Sequence, residues 1–199
     1  MQFIRENIKP GYQLLAHTDT VGGWMIRKAL DSDSNHDAMI CAVGRELQCA
    51  EFHSPVQTLM VGDSQPPVAT LHPLSYYEDK ISSGKWRIKV IRPVRWSDKY
   101  GDVASEEWLL RVHNSPYDYW AFWRSLVWRC MFKWWPAIQG KDWAWYCTEG
   151  VRKASMAATE IAFSEVIDFW KNQMPTPRTT EKRLAEGVFV DVTSECVEG

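Results

Sequence analysis

One hairpin decides the fold of this chain, and it is written Ser34-Asn-His-Asp-Ala-Met-Ile-Cys-Ala-Val43, Gly44-Arg45, Glu46-Leu-Gln-Cys-Ala-Glu-Phe-His53. The two apolar runs on either side of the glycine have the composition of β-strands. Glycine at the first position of a two-residue loop favours a type II′ turn. That turn pairs Val43 with Glu46 and sets the register of the whole hairpin.

His36 and Glu51 fall on the same face of the predicted hairpin. The register places His36 opposite His53 and Ala38 opposite Glu51, and residues separated by even steps share a sheet face. Glu51 is then the diagonal neighbour of His36, about 7–8 Å away at the backbone, a gap that a glutamate side chain spans. A carboxylate there orients the imidazole and stabilises its protonated form, with His53 as the alternative orienting residue.

The second reactive group is Cys147, in the run Asp142-Trp-Ala-Trp-Tyr-Cys-Thr-Glu-Gly150, where an aromatic strand-like stretch gives way to a helical pattern. Apolar residues recur every three or four positions as far as Ile161, which predicts a helix with the thiol on its inward stripe. A thiol at a helix start is favoured as thiolate, and an imidazole on a strand accepts its proton. Taken alone, Cys147 is better explained as a small packed side chain; its position at a helix start, the aromatic residues before it and the His/Glu pair on a strand face together favour a Cys–His pair.

The composition excludes several classes of function. The chain has 199 residues, 45% of them hydrophobic, and a net charge of −2, which predicts one packed domain and argues against a nucleic-acid partner. Five scattered cysteines without CxxC spacing, and the absence of an HExxH motif, predict neither a structural zinc site nor a metal or other cofactor. We see no signal peptide and no transmembrane segment, so the default expectation is a cytoplasmic protein.

The order of elements predicts the fold class. Strand patterns dominate the first half of the chain and helical patterns the second, which is typical of an α+β domain with an antiparallel sheet. We expect a single domain over residues 1–199, with an aromatic-rich helical insertion around 119–141 and a frayed tail over 193–199. Cys41, Cys49 and Cys130 are predicted to be buried packing residues, and His17, His72 and His113 to lack a functional partner.

Six short blocks resemble, in their order, the permuted papain-like hydrolases of the NlpC-type superfamily, especially the YiiX-like branch. They cover most of the chain, and each is weak by itself. The blocks are Pro10-Gly11-Tyr12-Gln-Leu-Leu15, Ser34-Asn-His36-Asp-Ala-Met-Ile40, Gln48-Cys-Ala-Glu51, Ser115-Pro-Tyr-Asp118, Tyr146-Cys147-Thr148-Glu149 and Met174-Pro-Thr-Pro177. One departure is that Tyr12 stands where the pattern has an aspartate after the glycine.

The resemblance implies a circularly permuted papain-like fold, with an antiparallel, barrel-like sheet packed against helices. It implies that Cys147 is the nucleophile, His36 the general base and Glu51 the residue that orients the base. Residues beside these blocks are expected to bind substrate: Tyr117, Trp145, Tyr146 and His53.

The function expected from the resemblance is hydrolysis of an amide or peptide bond, by way of an acyl-enzyme thioester. Relatives act on bacterial cell-wall peptides, so the expected partner is a small peptide or acyl substrate, including peptidoglycan fragments. Two alternatives stay open. The same triad serves an ester, thioester or lipid hydrolase or acyltransferase, and the Trp-rich segment then holds an acyl chain; or the scaffold is a non-catalytic binding module.

Overall fold

The centre of the structure is a six-stranded antiparallel sheet, as the α+β prediction requires. A computed structural model describes residues 2–52, 68–118, 147–162 and 176–198. In the order β5-β4-β3-β2-β6-β7, the sheet contains β2 (Gln13–Thr18), β3 (His36–Val43), β4 (Glu46–Phe52), β5 (Ala69–Pro73), β6 (Trp86–Pro93) and β7 (Phe189–Asp191).

Six α-helices are described, together with one π-helical turn at Trp108–Val112. They are α1 (Val21–Leu30), α2 (Leu74–Ser82), α3 (Asp98–Glu107), α4 (Cys147–Ala162), α5 (Pro177–Ala185) and α6 (Thr193–Cys196). Polar side chains define several of the helix starts. The Thr176 hydroxyl, for example, accepts the backbone N–H of Thr179 at the start of α5, where Pro177 occupies a first-turn position.

The predicted hairpin register is confirmed. β3 and β4 pair from Met39 with Ala50 to Val43 with Glu46, as a two-residue turn requires. Gly44 has a φ of 62°, in the left-handed region that the first residue of such a turn needs and that glycine enters without strain. The turn glycine therefore sets which side chains of the two strands face each other.

The barrel-like form of the sheet is corrected to an open sheet. Among the described strands, the two edges, β5 and β7, pair only on their inner sides and not with each other. Helices cover both faces of the sheet and bury the side chains that a closed barrel would enclose, so the sheet does not need to close into a barrel.

The predicted frayed tail is also corrected. Residues 193–196 form α6, and β8 (Val197–Glu198) pairs with β1 (Gln2–Phe3) in a separate two-stranded sheet. Cys196 is buried, and the backbone N–H of Ile4 donates to its carbonyl oxygen at 2.8 Å. The tail is ordered because it buries apolar surface and pairs its backbone with the first strand. The predicted aromatic insertion at 119–141 lies outside the described residues.

Two separate apolar layers cover the two faces of the sheet. On the face of Ala38, the core includes Leu14, Trp86 and side chains of α2 such as Tyr77. On the opposite face, Met39 and Phe52 pack against α3, the π-helical turn and α4. Strand alternation thus sends adjacent residues of β3 into different environments, and α4 packs against both β3 and β4.

Candidate active site

His36 and Glu51 form a buried pair on adjacent strands. The His36 Nε2 and Glu51 Oε2 atoms are 2.5 Å apart, and the two side chains are 4% and 1% exposed. The contact expected from the hairpin register is therefore present. Because Nε2 is engaged by the carboxylate, Nδ1 is the ring nitrogen left for another partner. His53, the alternative orienting residue, lies outside the described residues.

Cys147 begins α4 and lies next to the His36 ring. The thiol is buried at 7% exposure, and its sulfur is 3.9 Å from the Thr148 hydroxyl. Hydrogen bonding between Cys147 and His36 is one of the influences on the imidazole. The helix start, the strand start and the hairpin thus bring together three residues that are far apart in the sequence.

A glycine in the first turn of α4 allows this close approach. A Cβ atom added at Gly150 would lie 2.4 Å from the Phe52 ring, closer than atoms tolerate. Phe52 follows Glu51 on β4, so the strand that carries the carboxylate also sets the position of the helix that carries the thiol. Any side chain at position 150 must move one of them.

The environment of His36 favours its protonated form. Burial lowers the pKa of the imidazole, but hydrogen bonds from the ring to Cys147 and Glu51, and the charges of both, raise this pKa to about 10. An imidazolium is therefore held between a carboxylate and a sulfur at neutral pH. Such a group is able to stabilise a thiolate and later to donate a proton.

Two further side chains surround Glu51, and sequence reasoning missed both. The Tyr77 hydroxyl donates to Glu51 Oε2 at 2.6 Å, and His72 Nε2 lies 3.5 Å from Glu51 Oε1. The prediction that His72 lacks a partner is wrong. Since Glu51 pairs with Thr70 across β4 and β5, His72 is its diagonal neighbour, a signal that needed the register of β5.

Asp37 is a second buried carboxylate at the site, on the opposite face of β3 from His36. Burial raises its pKa to about 6, while Thr148, the charge of His36 and Thr180 oppose that rise and Glu181 adds to it. Burial outweighs the side-chain hydrogen bonding of Thr148 and Thr180 to the carboxylate. The carboxylate contacts groups from α4 and α5, which sequence periodicity alone did not bring together.

The other described cysteines occupy environments that disfavour thiolate. Burial raises the pKa of Cys196 to about 11, and burial raises the pKa of Cys41 and of Cys49 well above the ordinary value. All three are free thiols packed among apolar side chains, as expected for Cys41 and Cys49. Cys130 lies outside the described residues.

Of the four predicted substrate-binding residues, the structure describes Tyr117. Its ring is 6% exposed and meets the Phe52 ring edge-on at 6.1 Å, within the apolar layer around α4. Tyr117 is therefore a neighbour of the strand that carries Glu51 rather than an exposed aromatic surface. Trp145, Tyr146 and His53 lie outside the described residues.

A similar fold is found among solved structures. The chain is similar to the crystal structure of the metalloprotein YiiX from Escherichia coli O157:H7, with a TM-score of 0.54 and 18% sequence identity. The match covers 77% of this chain and 68% of the YiiX chain. The fold is YiiX-like. No protein-family model matches the sequence, and no curated protein matches it.

Within residues 2–52, 68–118, 147–162 and 176–198, no three His, Cys, Asp or Glu side chains are grouped so that they could hold a metal ion. His36 and Glu51 are engaged with each other. In the same ranges, no helix has both the length and the apolar composition needed to cross a bilayer.

Proposed function

We propose that this chain is a cysteine hydrolase of the permuted papain-like type, with Cys147 as nucleophile, His36 as general base and acid, and Glu51 as the residue that orients His36. The observation that carries the proposal is the His36 ring, held by Glu51 at Nε2 and adjacent to the Cys147 thiol. The order of the pair, histidine first and cysteine last, is that of the permuted branch.

In the first half of the proposed reaction, the Cys147 sulfur attacks the carbonyl carbon of an amide. A carbon–sulfur bond forms, and the carbonyl oxygen becomes an oxyanion, to which we assign the backbone N–H groups at the start of α4 as donors. The carbon–nitrogen bond then breaks, and the leaving amine takes the proton that His36 carries. The product is an acyl-enzyme thioester.

In the second half, water replaces the amine. His36 takes a proton from that water, whose oxygen attacks the thioester carbon, and the carbon–sulfur bond breaks. The carboxylic acid leaves, and the Cys147–His36 pair returns to its starting state. Glu51 stays in contact with His36 throughout and stabilises the imidazolium each time it forms.

We propose a peptide or related amide of the cell-wall type as the substrate. The test uses a peptidoglycan fragment with a γ-glutamyl to diamino-acid bond, and a p-nitrophenyl acyl ester as the competing chemistry. Cys147→Ala should abolish turnover, whereas Cys196→Ala, a matched change at another buried thiol, should keep it.

The possible outcomes separate the candidate functions. Peptide cleavage that depends on Cys147 supports the proposal. Turnover of the acyl ester alone, with the same dependence, replaces the amidase by an ester, thioester or lipid hydrolase or acyltransferase. If neither substrate is turned over and Cys147 is unreactive toward alkylating agents, the chain is a non-catalytic binding module and the proposal is wrong.

A further inference from the structure

We infer that Tyr77 is a positioning residue of the same site, acting on His36 through Glu51. The inference rests on the proposed function and adds Tyr77 to the residues that position its general base. The evidence is that two donors meet on one oxygen: the Tyr77 hydroxyl lies 2.6 Å and His36 Nε2 lies 2.5 Å from Glu51 Oε2.

The Tyr77 ring is fixed from several sides. Tyr77 is fully buried on α2, and its ring meets the Trp86 ring edge-on at 5.2 Å. Trp86 also meets the His36 ring edge-on at 6.0 Å. One tryptophan therefore packs against both groups that contact Oε2, so the positions of the tyrosine and the imidazole depend on each other.

The hydroxyl of Tyr77 acts as a donor throughout the working pH range. Burial and the neighbouring Glu51 and Cys49 raise the pKa of Tyr77 well above its ordinary value of 10. Because the Tyr77 hydroxyl keeps its proton, it donates a hydrogen bond to Oε2 and does not take up the proton of His36. Its contribution is to hold the carboxylate in place.

The Glu51 carboxylate has a second possible partner besides His36, so a group that fixes its orientation matters. His72 on β5 lies 3.5 Å from Oε1, the second oxygen of the carboxylate. Without the Tyr77 hydroxyl, the carboxylate loses the contact that keeps Oε2 beneath His36 and is able to turn toward His72. The imidazole then loses both its orientation and part of its counter-charge.

Several titratable groups face this network from the surrounding elements. The groups are Cys147 on α4, Asp37 on β3, Cys49 on β4, His72 on β5, and Tyr76 and Glu78 on α2. All of them remain in a variant that lacks only the Tyr77 hydroxyl, so a change in the titration of His36 in that variant reports on the bond from Tyr77 to Oε2.

The experiment compares Tyr77→Phe with the wild-type protein by NMR of ¹⁵N-labelled histidine. The variant should titrate His36 with a midpoint about one pH unit lower, equal to a tenfold weaker hold on the proton. Tyr100→Phe is the matched control, because Tyr100 is a buried tyrosine whose hydroxyl interacts with Ser155 and Gln13 instead. That control should leave the His36 midpoint unchanged.

An unchanged His36 midpoint in Tyr77→Phe overturns the inference. A second measurement on the unaltered protein covers the case in which the variant does not fold. The Tyr77 hydroxyl proton should give an observable signal protected from exchange, and rapid exchange with water would overturn the inference. Both readouts are independent of turnover, so failure of the proposed hydrolase reaction leaves them measurable.

Discussion

Two carboxylates are buried near the start of β3, Glu51 on β4 and Asp37 on β3 itself, and their surroundings differ. Glu51 is 1% and Asp37 2% exposed. Glu51 Oε2 accepts a hydrogen bond from the Tyr77 hydroxyl and contacts His36 Nε2. On the other sheet face, burial of Asp37 outweighs its interactions with Thr148, Thr180 and the charge of His36, and raises the pKa of that carboxyl to about 6.

The difference shows that burial alone does not determine the chemistry of an acidic residue. A buried carboxylate in direct contact with a cation and a hydroxyl donor supports a charged neighbour, whereas one whose stabilising interactions are outweighed by burial holds its own proton more tightly. The face of the strand decides which case applies, because His36 and Asp37 are consecutive residues on opposite faces. We therefore expect the two carboxylates to respond in opposite ways to removal of their charge.

The largest effect is expected at Glu51. Glu51→Gln leaves the imidazolium of His36 without its counter-charge in a buried site, which should destabilise the protein by about 3 kcal/mol. Urea unfolding at neutral pH measures this. Glu46→Gln on the exposed end of the same strand is the control and should change stability by less than about 0.5 kcal/mol. Equal stabilities of the two variants would contradict the pairing.

The stability of the protein should also depend on pH through the paired His36. The folded pKa of His36, about 10, lies above the ordinary value of 6.5. Its stabilising contribution is therefore complete below pH 6.5 and is lost as the pH rises toward 10. Unfolding measured across that window should show a decline in the wild-type protein that is much smaller in Glu51→Gln. A flat wild-type profile would argue against a protonated, paired His36.

At Asp37, removal of the charge is expected to stabilise the protein at neutral pH rather than destabilise it. Its folded pKa, about 6, lies above the ordinary 3.8, so its ionised form costs stability, with no cost below pH 3.8 and the full cost above pH 6. Asp37→Asn should then stabilise the protein at neutral pH by about 1–3 kcal/mol and lose this advantage in acid. Asp33→Asn, at an exposed carboxylate nearby, is the control. Destabilisation by Asp37→Asn at neutral pH would show that the two carboxylates are equivalent.

A smaller effect is expected from separating α4 from the sheet. Gly150→Ala places a methyl group against Phe52, which should destabilise the protein on the order of 1 kcal/mol and move Cys147 away from His36. Alkylation of Cys147 should slow while the His36–Glu51 pair persists. Lys153→Ala, at a half-exposed position on the same helix, should alter neither property. Unchanged alkylation in Gly150→Ala would mean that the helix position does not set the reactivity of the thiol.

The sequence was sufficient to predict the hairpin and its diagonal contact, because both are local. Gly44 determines the turn, the turn determines the register, and the register brings Glu51 to His36. The helix beginning at Cys147 was also visible, since its apolar periodicity is regular. The α+β class followed from the order of these patterns along the chain.

The remaining parts of the site depend on long-range packing that no local pattern encodes. Tyr77 reaches Glu51 only because α2 docks on one sheet face, and His72 does so only through the register of β5. The surroundings of Asp37 combine α4 with α5, and the tail pairs with the first strand of the chain. Predicting these contacts required the tertiary arrangement itself.

Whether His36 activates the Cys147 thiol is measured by alkylation with limiting iodoacetamide near neutral pH, followed by peptide mapping of all five cysteines. Cys147 should be modified well ahead of the others, because burial raises the pKa of Cys41, Cys49 and Cys196. His36→Ala should slow the modification of Cys147 alone. Labelling of Cys147 at the rate of Cys196, with no change in His36→Ala, would show that the imidazole does not activate this thiol.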